Sequence, residues 1–338
     1  MKRETLLLGT SDTELLKAAS ALRCGEVVGI PTETVYGLAA DATNEEAVRK
    51  VFAAKGRPAD NPLIVHLADF SLAEKYTSYI PPLAKKLAES FCPGPLTMVM
   101  PKNDRIPSVT SGGLDTVGIR VPSHPVMHRL LEISGLAIAA PSANRSGYPS
   151  PTAARHVMDD MNGKIFGVID GGPCEFGVES TVISFDGESS VRILRPGCVT
   201  RNMLLDFCDD VIIDKAILSE VAAGEKVASP GMKYKHYSPR ANVILVEGSI
   251  EAMKKYLSRP LPFQSYALLY EAQEDFPCPY LTYGSNSFDQ ARLVFQRLRE
   301  LDDIRAGTVY VQAPSKQGVG LAVYNRLIRA AGFEVIRI

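Results

Sequence analysis

The sequence predicts an α/β protein, with a mixed-sheet domain of about 200 residues followed by a smaller β-α-β-α domain. Three observations carry that reading. Short apolar runs alternate with helical patterns along the whole chain. Several of the early runs abut with no helix between them, which points to a mixed sheet and not a purely parallel one. Residues 214–240 lack clean periodicity and contain Ser229-Pro230-Gly231, as a linker would. The expected organisation is therefore one domain over 1–213, a linker over 214–240 and a second domain over 241–338.

The first helix has a clear start. Ser11 stands three residues before Glu14 as a capping box, Leu15, Leu16, Ala19 and Leu22 follow at helical spacing, and Gly25 ends the run. Val27-Val28-Gly29-Ile30 is a β-type run leading into Pro31-Thr32-Glu33-Thr34. Thr43 and Glu46 form a second capping box for a helix that ends at Lys55-Gly56-Arg57-Pro58. Strands are then expected at 63–65, 96–100, 117–121, 136–140, 165–169, 181–185 and 191–194, with helices near 82–91, 125–133 and 152–161. A helix and a strand fit 200–213. Beyond the linker, strands are expected at 243–246, 266–270, 308–312 and 333–338, and helices at 250–257, 287–301 and 322–331.

The chain has 338 residues, 37 Lys plus Arg and 38 Asp plus Glu, for a net charge of −1. A globally basic nucleic-acid binder is thereby excluded, and any anion site must be local. Apolar residues make up 46%, enough for a folded core along the whole length. No apolar stretch reaches membrane-spanning length and the start does not read as a signal peptide, so a cytoplasmic protein is expected. The six cysteines are scattered without zinc-ligand spacing, and buried free thiols are expected. Phosphate-binding glycine loops, kinase motifs and hydrolase elbows are absent.

Instead, polar residues gather at strand ends. Thr34, Lys55, Arg57, Asn61, His66, Thr116, Arg120, Ser142, Asn144, Ser150, Ser180 and Arg195 all lie near such ends or at a neighbouring helix terminus. In open α/β sheets ligands sit outside the carboxyl ends of strands, so these groups are expected to converge on one pocket. Four cations in a nearly neutral protein suggest an anionic ligand, with hydroxyls and amides orienting it. Each residue also has an ordinary explanation. Lys55 and Arg57 suit a helix C-terminus, Thr34 a turn, His66 a buried strand end, Ser142 and Asn144 a helix cap, and Arg120 and Arg195 structural ion pairs.

Taken in order, the motifs are specific. PTETVYGL at 31–38, KGRP with NPLIVH at 55–66, PGPLT at 93–97, DTVGIRVPSHP at 115–125, APSAN at 140–144, GGPCEFGVESTV at 171–182 and LRPG at 194–197 resemble the threonylcarbamoyl-AMP synthase family. SPGMKYKHYSP at 229–239 and GLAVYNRL at 320–327 resemble the linker and C-terminal domain of its longer, two-domain branch. The resemblance implies a YrdC-like twisted mixed α/β sheet with a central cationic cavity, plus a smaller Rossmann-like C-terminal α/β domain. It also implies a reaction, in which L-threonine, bicarbonate and ATP give threonylcarbamoyl-AMP, pyrophosphate and water, and the product passes to a tRNA threonylcarbamoyl transferase.

By the same resemblance Lys55, Arg57, Ser142 and Asn144 form the catalytic tetrad. Threonine contacts fall on Thr34, His66, Arg120, Ala140 and Ser180, and ATP contacts on Arg57, Asn61, Thr116, Ser142, Ser150, Arg195 and Tyr234. Mg2+ is expected to arrive on the ATP phosphates, since no carboxylate cluster is evident to hold it. The linker is long enough to serve as a lid over the cavity. Its basic run at 233–240 also admits weak RNA binding, and two other readings stay open: an RNA-binding module without catalysis, and a different carbamoyl-transfer enzyme.

Overall fold

The structure, a computed structural model, describes residues 4–58, 61–219 and 237–338. The first domain runs β1 (Leu6–Leu8), α1 (Asp12–Arg23), β2 (Val28–Ile30), β3 (Gly37–Asp41), α2 (Glu45–Lys55), β4 (Ile64–His66), α3 (Pro82–Phe91), β5 (Leu96–Pro101), α4 (Ser108–Ser111) and β6 (Thr116–Arg120). It continues through α5 (Pro125–Ser134), β7 (Ile138–Ala139), α6 (Ala154–Met161), β8 (Gly167–Ile169), β9 (Thr181–Phe185), β10 (Ser190–Arg195), α7 (Arg201–Leu205) and β11 (Asp210–Ile213). The second domain holds β12 (Asn242–Glu247), α8 (Ile250–Leu257), β13 (Ser265–Leu269), β14 (Tyr280–Thr282), α9 (Ser287–Asp303), β15 (Thr308–Gln312), α10 (Gly318–Ala330) and β16 (Val335–Arg337).

Eleven strands form one sheet in the order β1-β8-β2-β3-β7-β4-β6-β5-β9-β10-β11. Its ladders mix directions, with β4 parallel to β6 and β5 to β9, and β7 antiparallel to both β3 and β4. The second sheet, β14-β13-β15-β12-β16, is parallel throughout. Both outcomes match the expected mixed sheet and small α/β unit.

The differences are local and have physical reasons. Helix α2 is capped by Asn44, whose Oδ1 accepts from Ala47 N at 3.1 Å, and not by Thr43, whose hydroxyl donates to Asp41 instead. Strands β1, β3 and β14 were not expected. The Gly37-Leu38-Ala39-Ala40 run of β3 has no β-branched residue to signal a strand, and β1 and β14 are three residues each. Cys24 is exposed at the end of α1, contrary to the expectation of burial for every thiol, and Cys92 is half-buried.

The two domains share a core. Val35, Val178 and Cys198 of the first domain pack in one apolar cluster with Tyr237, Phe295, Val323 and Tyr324 of the second part of the chain. Gly177 shows how closely they approach: its φ is +73°, and a Cβ there would meet the Arg292 backbone of α9 at 2.5 Å. Among the described residues no helix is long and apolar enough to cross a membrane.

Candidate active site

Lys55 ends α2, and the chain then turns through Gly56 in a left-handed conformation, φ +62°, that places Lys55 and Arg57 on either side of one tight turn. The Lys55 ammonium is buried and donates to the carbonyls of Ser142 and, at 2.7 Å, of Asn144. Burial and the neighbouring Arg57 push its pKa well below the usual lysine value. The segment it holds follows β7. There Ser142 Oγ donates to Asn144 Oδ1 at 2.5 Å, while Asn144 Nδ2 donates to the carbonyls of Arg145 and Tyr148 and fixes the following loop.

Strand register brings the next group together. His66 of β4 pairs with Arg120 of β6, and Arg120 pairs in turn with Thr97 of β5. Arg120 is buried, ion-pairs with Glu33 at 2.7 Å and donates to Thr34 Oγ1 at 2.9 Å. This leaves Arg120 Nε and Glu33 Oε2 buried without hydrogen-bond partners. Burial alone would raise the Glu33 pKa, but the Arg120 guanidinium outweighs it and holds the carboxyl below its ordinary range. Burial, with Arg120 adding to it, lowers His66 to about 3, so this imidazole is neutral at physiological pH.

Arg195 lies at the end of β10, where the pairing with β9 shifts register between Ile193 and Arg195. Its Nε and one terminal nitrogen donate to the Ser180 carbonyl and hydroxyl, each at 3.1 Å, and the Ser180 hydroxyl also bonds Thr97 Oγ1 at 2.8 Å. Burial lowers Arg195 to about 10 although Glu179 opposes the shift, so it remains a cation at neutral pH.

These groups line one cleft with about 740 Å³ of empty space out to its mouth. Of the residues expected from the sequence, Thr34, Lys55, Arg57, His66, Arg120, Ala140, Ser142, Asn144 and Arg195 form its wall. Ser180 and Ser150 are not in that lining; both are fully buried one hydrogen bond behind it, Ser180 on Arg195 and Ser150 on Glu179. Asn61 is 1% exposed, and neither its Nδ2 nor its Oδ1 has a partner. Thr116 opens β6 four residues before Arg120, about 13 Å away along an extended strand. Tyr234 and the linker segment expected to form a lid lie outside the described residues.

Nine lining residues were not among those expected, and the polar ones are Thr32, Ser146, Glu179 and Tyr237. Glu179 adjoins Ser180 in the GGPCEFGVESTV motif, and an acid directly beside an expected site residue was a usable signal. Among the described residues no group of three or more His, Cys, Asp or Glu side chains is arranged to hold a metal ion.

Fold and site together define a two-domain α/β protein whose larger sheet carries a cleft lined by Lys55, Arg57, Arg120 and Arg195, by the Glu179 carboxylate and by neutral hydrogen-bonding groups. The family model described as "Telomere recombination", which spans Sua5, YciO and YrdC proteins, matches residues 20–197, and "Threonylcarbamoyl-AMP synthase, C-terminal domain" matches 199–332. The chain is 42% identical to the threonylcarbamoyl-AMP synthase of Bacillus subtilis, over 98% of this chain and 96% of that one. It is also 42% identical to the Pyrococcus abyssi protein of the same name, over 95% of each. The crystal structure of P. abyssi Sua5 complexed with L-threonine superposes with a TM-score of 0.92 at 39% identity, covering 99% of this chain and all of that one. The chain belongs to the threonylcarbamoyl-AMP synthase family.

Proposed function

We propose that the cleft holds L-threonine and ATP side by side and that the protein makes L-threonylcarbamoyladenylate. The threonine amine adds to bicarbonate and loses water to give a carbamate. A carbamate oxygen then attacks the α-phosphorus of ATP, and the bond to the leaving pyrophosphate breaks. Both partners are anions, so the barrier in water comes largely from repulsion and from the entropy of bringing them together. The observation that carries the reading is the meeting of Lys55, Arg57, Arg120 and Arg195 on one cleft, with Thr34, Ser142 and Asn144 between them.

In this reading Arg120, with Thr34 beside it, receives the threonine carboxylate, and neutral His66 and the Ala140 backbone complete that end, with Ser180 bracing from behind. Lys55 and Arg57 stabilise the charge that develops as carbamate meets phosphate. Ser142 and Asn144 orient the reacting groups, while Arg195, Asn61, Ser150 and Thr116 belong to the ATP side. Mg2+ fits as an ion carried by the triphosphate. Both oxygens of Glu179, the one carboxylate among the described lining residues, are already engaged, by Ser150 and Arg326. When bound it would screen phosphate charge. The mixed anhydride would then pass to a tRNA threonylcarbamoyl transferase.

The test is incubation with ATP, Mg2+ and radiolabelled bicarbonate, with and without L-threonine. Pyrophosphate and a labelled adenylate are expected only when threonine is present, and Lys55→Ala is expected to abolish both. Threonine-independent turnover would instead favour another carbamoyl-transfer enzyme, and tight RNA binding without turnover a non-catalytic module.

A further inference from the structure

Glu179 stands out in a cleft proposed to receive a triphosphate, because it is the one carboxylate among the described lining residues. An uncompensated carboxylate there would repel phosphate through a poorly screened medium. It is not uncompensated. Its Oε2 accepts from Arg326 Nε at 2.9 Å and its Oε1 from Ser150 Oγ at 2.6 Å. Burial would raise its pKa, yet Arg326 first and Arg195 next outweigh that and keep it ionised.

Arg326 comes from the other domain. It sits in the middle of α10, is 0% exposed, and lies 147 residues from Glu179 in the chain. Its Nη1 donates to the Pro196 carbonyl at 2.7 Å, next to Arg195, and to the Asn325 side chain at 3.1 Å, while its Nη2 donates to the Glu179 backbone carbonyl at 3.4 Å. Its guanidinium also lies 5.8 Å from the centre of the Tyr237 ring, which lines the cleft. A buried fork with these partners has one evident electrostatic consequence: the largest compensating charge on the wall carboxylate, ahead of that of Arg195, comes from the docked second domain.

We infer that Arg326 is a positioning residue for the ATP side of the cleft, neutralising Glu179 and holding it against Ser150 so that the wall accepts a triphosphate. The second domain thereby completes the electrostatics of a site built on the first. This rests on the placement of ATP proposed above.

The experiment compares R326Q, E179Q/R326Q and Arg326→Lys in the full-length protein, by steady-state kinetics in ATP and in threonine separately. R326Q removes the ion pair and leaves the carboxylate with Ser150 and Arg195 alone, and is expected to raise KM for ATP by about tenfold or more, with KM for threonine changed less than about twofold. Removing the carboxylate as well, in E179Q/R326Q, is expected to recover most of that loss, because the charge balance is restored. Arg326→Lys keeps the charge without the fork and should fall between native and R326Q; it stands in for R326Q if that variant does not fold. The inference is overturned if the double variant binds ATP no better than the single one, or if both KM values rise together as a loosened structure would make them. Lys55→Ala run in parallel separates the two readings. An inactive Lys55→Ala with a native-like R326Q removes only the role of Arg326, whereas native-like behaviour of both removes the cleft as the ATP site.

Discussion

Acidification from pH 7 to pH 5 charges a histidine in the unfolded chain but leaves His66 neutral in the folded one. His66 is 2% exposed, and burial followed by the nearby Arg120 lowers it from 6.5 to about 3. Between those values the unfolded state binds the extra proton, so stability is present above pH 6.5 and is lost as pH falls toward 3. The full shift corresponds to about 5 kcal/mol, of which about 2 kcal/mol falls between pH 7 and pH 5. Replacement by glutamine removes the titration. Urea unfolding of the native protein and of His66→Gln at the two pH values should show the native protein losing about 2 kcal/mol more. Shared titrations, such as that of His156, which burial lowers to about 4, cancel in the difference. Carbon-13 labelling of the histidine rings gives a direct check, since the His66 signals should hold their neutral positions down to about pH 4. A ring titrating near its ordinary value, or equal acid sensitivity of the two proteins, would refute the reasoning.

Asn61→Ala should raise KM for ATP while changing unfolding free energy by less than about 1 kcal/mol, since the buried amide makes no hydrogen bond to lose; a large loss of stability would contradict this. Because burial and then Arg57 depress the Lys55 pKa, ATP binding should raise it again, drawing protons onto the Lys55 amine at pH near the lowered value, and should weaken as pH rises through that value. Calorimetry in buffers of different ionisation enthalpy reads the proton, and binding heats independent of buffer would count against it. With Ellman's reagent at pH 8 one fast thiol is expected, Cys24, and six after denaturation; Cys92, pushed up to about 11 by burial, should react slowly. Gly177→Ala introduces a Cβ into the Arg292 backbone at a positive φ, and should loosen the domains by more than about 1 kcal/mol, seen as faster proteolysis of the native chain between them.

What the sequence made legible was what lies close along the chain. The capping pair Ser11 and Glu14 marked α1, and Ser11 Oγ does accept from Glu14 N. Two cations of the cleft were visible because strand ends carry them: Arg120 closes β6 and Arg195 closes β10. The order itself was not legible. That β4 would lie between β7 and β6 depends on contacts between segments far apart in the chain, which no local pattern encodes.

Arg326 is the clearest case of a residue hidden by distance but not without signal. Asn325, Arg326 and Arg329 interrupt an otherwise largely apolar helix, and a charge amid Leu321, Val323, Leu327 and Ile328 needs a buried partner. Asn325 Nδ2 finds the Ile217 carbonyl at 2.7 Å and Arg326 finds Glu179, so both polar residues point across the boundary between domains. Domains joined by a linker ordinarily move against each other unless the interface is large and apolar. Here an apolar cluster joining Val35, Val178 and Cys198 to the α9 and α10 helices surrounds that polar pair. Undocking would expose that apolar cluster to water as well as separate Glu179 from Arg326, and it is the apolar exposure that opposes it most. The docked arrangement is therefore the resting one, and the charge that α10 contributes to the cleft wall is a standing part of the site.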